Sequence, residues 1–258
     1  MIPKIIHYIW LGNNPIPAEL AACIDSWHKH MPDYQIMKWD DSVISQVNIT
    51  FVNEAVKAKK WAFASDVIRL WALYNYGGIY LDTDVKVLKS FDPLLNNKAF
   101  IGRENCLQLI GKKTEYHLTS FCFGAEKGSE YIKRCLDYYK DRHFITSLEK
   151  VLPMELQFDV RNASFIHSEI AKTFGYDPSA LAPNEQICDK DVLKIFPSSY
   201  FVTPLTDNTF CQHLSIGSWR EKLQKEETYT LTYKIKWRIR AIVEKTLRRF
   251  GYIMVKLN

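Results

Sequence analysis

The chain has 258 residues, 47% hydrophobic and 24% charged, which fits one large α/β domain with a packed core and excludes wholesale disorder. Its net charge of +5 is unevenly placed: residues 220–258 hold eleven Lys or Arg against four Glu, leaving 23 basic and 25 acidic residues in 1–219, whereas a nucleic-acid enzyme spreads its basic excess over a groove. The cysteines, Cys23, Cys106, Cys122, Cys135, Cys188 and Cys211, include no C-x-x-C pair, which argues against zinc ribbons and thioredoxin-like chemistry.

Lys4 to Leu11 (KIIHYIWL) is β-branched and aromatic behind Pro3 and predicts a buried strand closed by Gly12-Asn13-Asn14-Pro15. Ala18 to His30 carries Leu20, Ile24 and Trp27 at helical spacing and stops before Pro32; Tyr34 to Trp39 reads as a second strand. Glu54 to Tyr76 gives the longest helical pattern, through Val56, Trp61, Ala64, Val67, Ile68, Trp71 and Leu73, and Gly77-Gly78 ends it. Ile79-Tyr80-Leu81 is then a short apolar strand running into Asp82. Beyond it, Ser120 to Gly124 and Val192 to Phe196 read as strands and Glu130 to Tyr139 as a helix; residues 140 to 190 carry no readable pattern. Alternating strand and helix makes the fold class α/β.

Asp82-Thr83-Asp84 is the chemical focus. Open α/β sheets place their ligands at strand ends, and two carboxylates this close stay ionised together when a cation lies between them. Hard oxygen donors on a tight turn suit Mn²⁺ or Mg²⁺ with positions left for a diphosphate, the Lewis-acid arrangement. A D-x-D pair alone is also what a solvated acidic loop looks like. The frame of long helix, Gly77-Gly78, apolar triplet and following Val85 and Val87 is what makes it distinctive.

Ala64-Ser65-Asp66-x-x-Arg69 followed by Tyr76-Gly77-Gly78-Ile79-Tyr80-Leu81-Asp82-Thr83-Asp84 closely resembles the DxD sugar-transferase region of glycosyltransferase family 32. That family includes mannosyltransferases, bacterial capsule transferases and, distantly, the clostridial glucosylating toxins. Ile2 to Gly12 resembles its first strand, and His213-Leu214-Ser215-Ile216-Gly217-Ser218-Trp219 its closing element. The resemblance implies a GT-A type, Rossmann-like nucleotide-sugar-binding domain and a retaining transfer. By resemblance Asp82, Asp84 and Arg69 are catalytic. Trp10, Leu11, Gly12, Ser65, Asp66, Arg69, Asp82, Ser218 and Trp219 bind the donor, and Asp84 and His213 bind Mn²⁺ or Mg²⁺. Each has a plainer reading: Trp10 as core, Asp66–Arg69 as a helix-face ion pair, His213 as a packed histidine. His7 is read as structural. No nucleophile-like carboxylate is distinguished among Glu104, Glu115, Glu126 and Glu185, so a front-face mechanism is expected, with the leaving phosphate helping to deprotonate the acceptor.

The implied donor is a nucleotide sugar, UDP-galactose or another UDP-hexose, with GDP-mannose as the alternative; the implied acceptor is a lipid-linked saccharide of capsular or surface polysaccharide. Residues 1–225 are expected to form the transferase domain and 226–258 a basic amphipathic helix that meets a membrane surface, through Trp237, Ile239, Ile242 and Phe250 beside its lysines and arginines. The alternation from Leu231 to Ile239 also fits a strand, and the plainer reading of the helix packs it on the domain with a solvated basic face. Without a signal-like start or a run of about twenty apolar residues, the expected location is cytoplasmic, at the inner face of the membrane, with no nucleic-acid partner. Two rivals remain: a phosphotransferase of the HAD class, whose motif wants Thr or Val where Lys86 stands, and a non-catalytic nucleotide-sugar-binding protein.

Overall fold

The β-branched and aromatic run behind Pro3 forms β1 (Ile5–Ile9), shorter than predicted, and Gly12 just past it has a φ of 89°. The computed structural model describes residues 1–110, 113–149, 154–179, 181–202 and 205–216. Helix α1 (Ala18–His30) has the predicted bounds and buries Leu20, Cys23 and Trp27. Strand β2 (Gln35–Trp39) lies parallel to β1, with Ile5 opposite Gln35 and Ile9 opposite Trp39. A 3-10 turn and the short α2 (Ile44–Val47) lead to α3 (Thr50–Lys57) and α4 (Trp61–Tyr76). The single helix expected from Glu54 to Tyr76 is therefore two. The break includes Lys59, at a left-handed φ of 56°, and hydrophobic periodicity misses it because Val56 and Trp61 pack against the same core.

Strand β3 (Gly78–Leu81) pairs parallel with β1 on the side away from β2, His7 opposite Tyr80. Trp27 of α1 packs in one core and Ala64, Val67 and Ile68 of α4 in the other. The order β2-β1-β3 with helices on both faces is a Rossmann-like layout, as the resemblance implies. Strand β2 lies on one side of β1 and β3 on the other, so the strand order reverses there, and the carboxyl ends of β1 and β3 frame the crevice where such sheets place their ligands.

Beyond β3 the sheet is mixed. Strand β4 (Val85–Val87) leaves it to pair with β9 (Cys211–His213). A long hairpin, β5 (Ala99–Ile110) and β6 (Lys113–Ala125), precedes α5 (Glu130–Lys140), α6 (Met154–Gln157), α7 (Ala163–Lys172), β7 (Gln186–Cys188) and β8 (Leu193–Phe196). The main sheet runs β2-β1-β3-β6-β5-β8-β7, with β3–β6, β6–β5 and β8–β7 antiparallel and β5–β8 parallel. The predicted α/β class is what the chain adopts. The strand read at Ser120 to Gly124 is the end of a longer β6, and β5 was not read at all. The predicted basic helix over 226–258 lies outside the described residues, and no helix among those described is long and apolar enough to cross a membrane.

Candidate active site

The crevice is floored by two strand ends. From β1, Trp10 continues the pairing, its N–H donating to the Trp39 carbonyl at 2.9 Å, and its indole N–H donates to the Asn14 carbonyl at 2.6 Å. That bond folds the loop Leu11 to Asn14 back on the half-buried indole, while Leu11 is buried. The Gly12 N–H donates to the Asp41 carboxylate at 2.9 Å, and a Cβ on Gly12 would stand 3.2 Å from the Trp61 ring. Backbone and ring thus approach as only glycine allows.

From β3 comes the acidic turn, anchored where the Asp82 N–H donates to the Phe121 carbonyl at 2.9 Å. Asp66 and Arg69 lie three apart on α4 and reach over β3. The Arg69 guanidinium meets Asp66 at 2.9 Å and Asp82 at 3.4 Å. It also donates to the Ser65 carbonyl at 3.2 Å and the Ser120 carbonyl at 2.6 Å, and lies 4.4 Å from the Tyr80 ring centroid. Tyr80 donates its hydroxyl to Asp82 at 2.5 Å. Burial of Asp66 outweighs the Arg69 charge and, with Asp82 adding repulsion, pushes its carboxyl up to about 6. Burial opposes charge on Arg69, but Tyr80, Asp82 and Asp66 together raise it further, so it is always a cation.

The other half of the turn closes against β9. Val85 pairs with His213, the Leu214 N–H donates to the Asp84 carbonyl at 3.0 Å, and the Ile216 N–H donates to the Asp84 carboxylate at 3.0 Å. His213 Nε2 lies 3.2 Å from Asp84, its ring stacked on Phe121 at 4.3 Å. Burial alone would raise Asp84, yet the His213 and Ile216 contacts hold it below the ordinary range. Burial would lower His213, yet Asp84, with Asp82 and Glu104 farther off, raises it.

Donor atoms of Asp82, Asp84 and His213 lie within 4.8 Å of one another. Two carboxylates and an imidazole converging this closely fit a divalent cation, the carboxylates suiting Mn²⁺ or Mg²⁺. The structure therefore gathers Asp66, Arg69, Asp82, Asp84 and His213 into one connected group, with Ser65 contributing its carbonyl. Trp10, Leu11 and Gly12 stand at the neighbouring strand end. Ser218 and Trp219 lie outside the described residues. Sequence reasoning missed Tyr80, hidden in a triplet that reads as core, and Ser120, whose contribution is a backbone carbonyl. Asp41 was legible only as one of an acidic pair after β2. His7 is structural, as read: buried, it bonds the Gly77 carbonyl at 2.7 Å and accepts from the Trp39 indole at 3.1 Å.

Comparison with known proteins bears on this region. Residues 17–101 match the family described as a glycosyltransferase sugar-binding region containing a DXD motif. An inositol phosphoceramide mannosyltransferase of Schizosaccharomyces pombe is 36% identical over 106 residues, 40% of this chain and 30% of the relative. A mannosyl phosphorylinositol ceramide synthase of Saccharomyces cerevisiae is 34% identical over 113 residues, 39% of this chain and 28% of the relative. The chain thus spans about a third or less of the length of these curated relatives. Among solved structures, the PaToxG glycosyltransferase aligns at a TM-score of 0.48 and 22% identity over 67% of this chain and 69% of that one. The matched region contains Asp66, Arg69, Asp82 and Asp84, so the part of the chain that is similar to the DXD-containing sugar-binding region is the part that carries most of this site.

Proposed function

We propose that this chain is a retaining, metal-dependent glycosyltransferase that moves a hexose from a nucleotide diphosphate sugar to a lipid-linked saccharide. One observation carries the reading: the carboxylate of Asp82 pairs with Arg69 at 3.4 Å and lies within 4.8 Å of the donor atoms of Asp84 and His213. A bound cation would supply charge for the leaving diphosphate. Asp82, Asp84 and His213 hold it, while Arg69 and Asp66 present a donor and an acceptor to sugar or ribose hydroxyls. Trp10, half-buried beside the Leu11–Gly12 turn, offers a flat ring at the adjoining strand end, which suits a nucleoside base.

UDP-galactose or another UDP-hexose is the donor favoured by resemblance to capsule enzymes. The curated relatives support a second reading, mannosyl transfer from GDP-mannose, because both are named for mannose. Their named acceptors are inositol ceramides, which supports a lipid-borne acceptor. In this reading the basic segment 226–258 attaches the protein to the inner face of an anionic membrane, where capsular or surface polysaccharide is built.

Calorimetry with UDP and GDP in the presence of Mn²⁺, followed by hydrolysis assays on UDP-galactose, UDP-glucose and GDP-mannose, tests the proposal. One nucleotide should bind in a metal-dependent way and its sugar should be slowly released, with Asp84→Ala lowering both at least tenfold. Hydrolysis of an aryl phosphate with none of any nucleotide sugar, or full activity in Asp84→Ala, would overturn it.

A further inference from the structure

Four glutamates stood undistinguished in the sequence, and the fold separates them. Glu115 pairs with Lys172 at 2.6 Å, Glu185 with Lys194 at 2.9 Å, and Glu126 with the N-terminal amine at 3.4 Å. Glu104 is half-buried, and its carboxylate has no hydrogen bond or ion pair among the described residues. The carboxylate is thus half-shielded from water and open to a partner from outside the chain.

Its position indicates what that partner is. The last β6 residue paired with β3 is Cys122, opposite Leu81, yet the β5–β6 hairpin continues past this point. The hairpin therefore extends beyond the acidic turn as a wall on its antiparallel side. Side chains alternate between the faces of a strand. Ile101 packs into the core beneath α4, and Arg103 keeps that face, its guanidinium 4.3 Å from the Tyr116 ring centroid. Phe100 packs into the other core with Phe121, the ring on which His213 stacks. Gly102 shares the face of Phe100, since a Cβ there would meet the Phe201 ring of that same core, and Glu104, two residues on, follows it to this second face. The pairing slips on both sides of Arg103, between Ile101 and Arg103 and between Arg103 and Leu107, the kind of irregularity that re-aims a side chain beside a site. Burial raises the Glu104 carboxyl while the facing His213 charge opposes the rise.

We propose that Glu104 is a substrate-binding residue of the same site, accepting a hydrogen bond from a sugar hydroxyl held between the hairpin wall and the Asp84–His213 pair. The inference rests on the sugar-transfer reading above. A diphosphate would be repelled by the carboxylate, and the cation is already assigned to Asp82, Asp84 and His213 without Glu104, so the substrate group left to face it is a hydroxyl. That hydroxyl belongs either to the transferred hexose or to the acceptor sugar, and the two sources separate experimentally.

Glu104→Ala and Glu104→Gln are compared with the wild type, with Mn²⁺, for binding of UDP, GDP, UDP-galactose and GDP-mannose, for donor hydrolysis, and for transfer to n-octyl galactoside and n-octyl mannoside. Both variants should bind the free nucleoside diphosphate within twofold of wild type. If the hydroxyl is on the transferred hexose, Glu104→Ala weakens nucleotide-sugar binding at least fivefold. If it is on the acceptor, binding and hydrolysis hold while the acceptor KM rises at least fivefold. In either case Glu104→Gln, which keeps an acceptor oxygen, loses less. Variants equal to wild type in every assay, or losing nucleoside diphosphate and nucleotide sugar alike, would overturn the proposal. A wild-type protein that binds neither nucleotide would instead sink the function on which it rests.

Discussion

Arg69 is held from several sides: the Ser65 and Ser120 carbonyls, the Asp66 and Asp82 carboxylates and the face of Tyr80. A lysine ammonium cannot reproduce this planar set of contacts, and alanine strands a mostly buried Asp66 without its counter-charge. Arg69→Ala should lower stability by about 3–5 kcal/mol, as removal of one partner of a buried pair does, measurable by denaturant unfolding. Arg69→Lys should keep the fold and lose most nucleotide-sugar binding. Asp66 gives a pH signature. With its carboxyl raised to about 6, it gains a proton as pH falls through that value and stops accepting from a ligand hydroxyl. Nucleotide-sugar affinity should therefore fall below pH 6, and Asp66→Asn should remove that inflection in a titration series. The sign for stability is the reverse, because a carboxyl raised in the fold stabilises the protein below the ordinary value near 4 and loses that contribution as pH rises through 6.

At the level of elements, the junction from α4 into β3 sets where the acidic turn points. Gly77 and Gly78 take φ values of 68° and 111°, and a Cβ on Gly78 would lie 2.6 Å from the Ile5 carbonyl oxygen. Gly78→Ala should cost about 1–3 kcal/mol through strain and displacement of β1, read as a lower melting temperature with weakened metal-dependent nucleotide binding. His7 locks the same junction from β1. Burial pulls its pKa down to about 4 against the Gly77 bond. The unfolded state therefore takes up the proton first on acidification, and this contribution, complete above pH 6.5, is lost as pH falls toward 4. How much of these elements the sequence revealed follows from what buries each one. Helix α1 sits between Pro17 and Pro32 and buries an apolar face, so its bounds were plain. Helix α7 hid because polar residues interrupt its buried face, where Ser164, His167 and Ser168 stand among Ala163, Ile166 and Ala171: Ser168 accepts the Leu118 N–H at 2.8 Å and donates to the Ser164 carbonyl at 2.7 Å. The β5–β6 hairpin hid because its outer part carries Arg103, Glu104 and Glu115 where a core strand would be apolar. In the site, side chains in a motif were legible. Ser120 was not, since any residue has a carbonyl.

Across the whole molecule, the charge is divided between a slightly acidic 1–219 and a segment 220–258 of net +7. Such a segment is drawn to anionic lipid at about 1 kcal/mol per basic residue near the surface. Deleting residues 228–258 should abolish sedimentation with phosphatidylserine vesicles and leave metal-dependent nucleotide binding within twofold. Unchanged vesicle binding would remove the membrane role.

The short β4–β9 ladder joins Asp84 to a segment 132 positions away, where Ile216 meets it. Because loop-closure entropy grows only slowly with length, the cost of bringing such distant segments together is modest, but the order of events during synthesis is fixed. A chain that has emerged only as far as Phe210 already contains the acidic turn and the entire family-matching stretch 17–101, yet it owns two of the three clustered donors. The divalent-ion affinity proposed for this cluster would therefore be acquired only after residues 211–216 have left the ribosome and paired with β4.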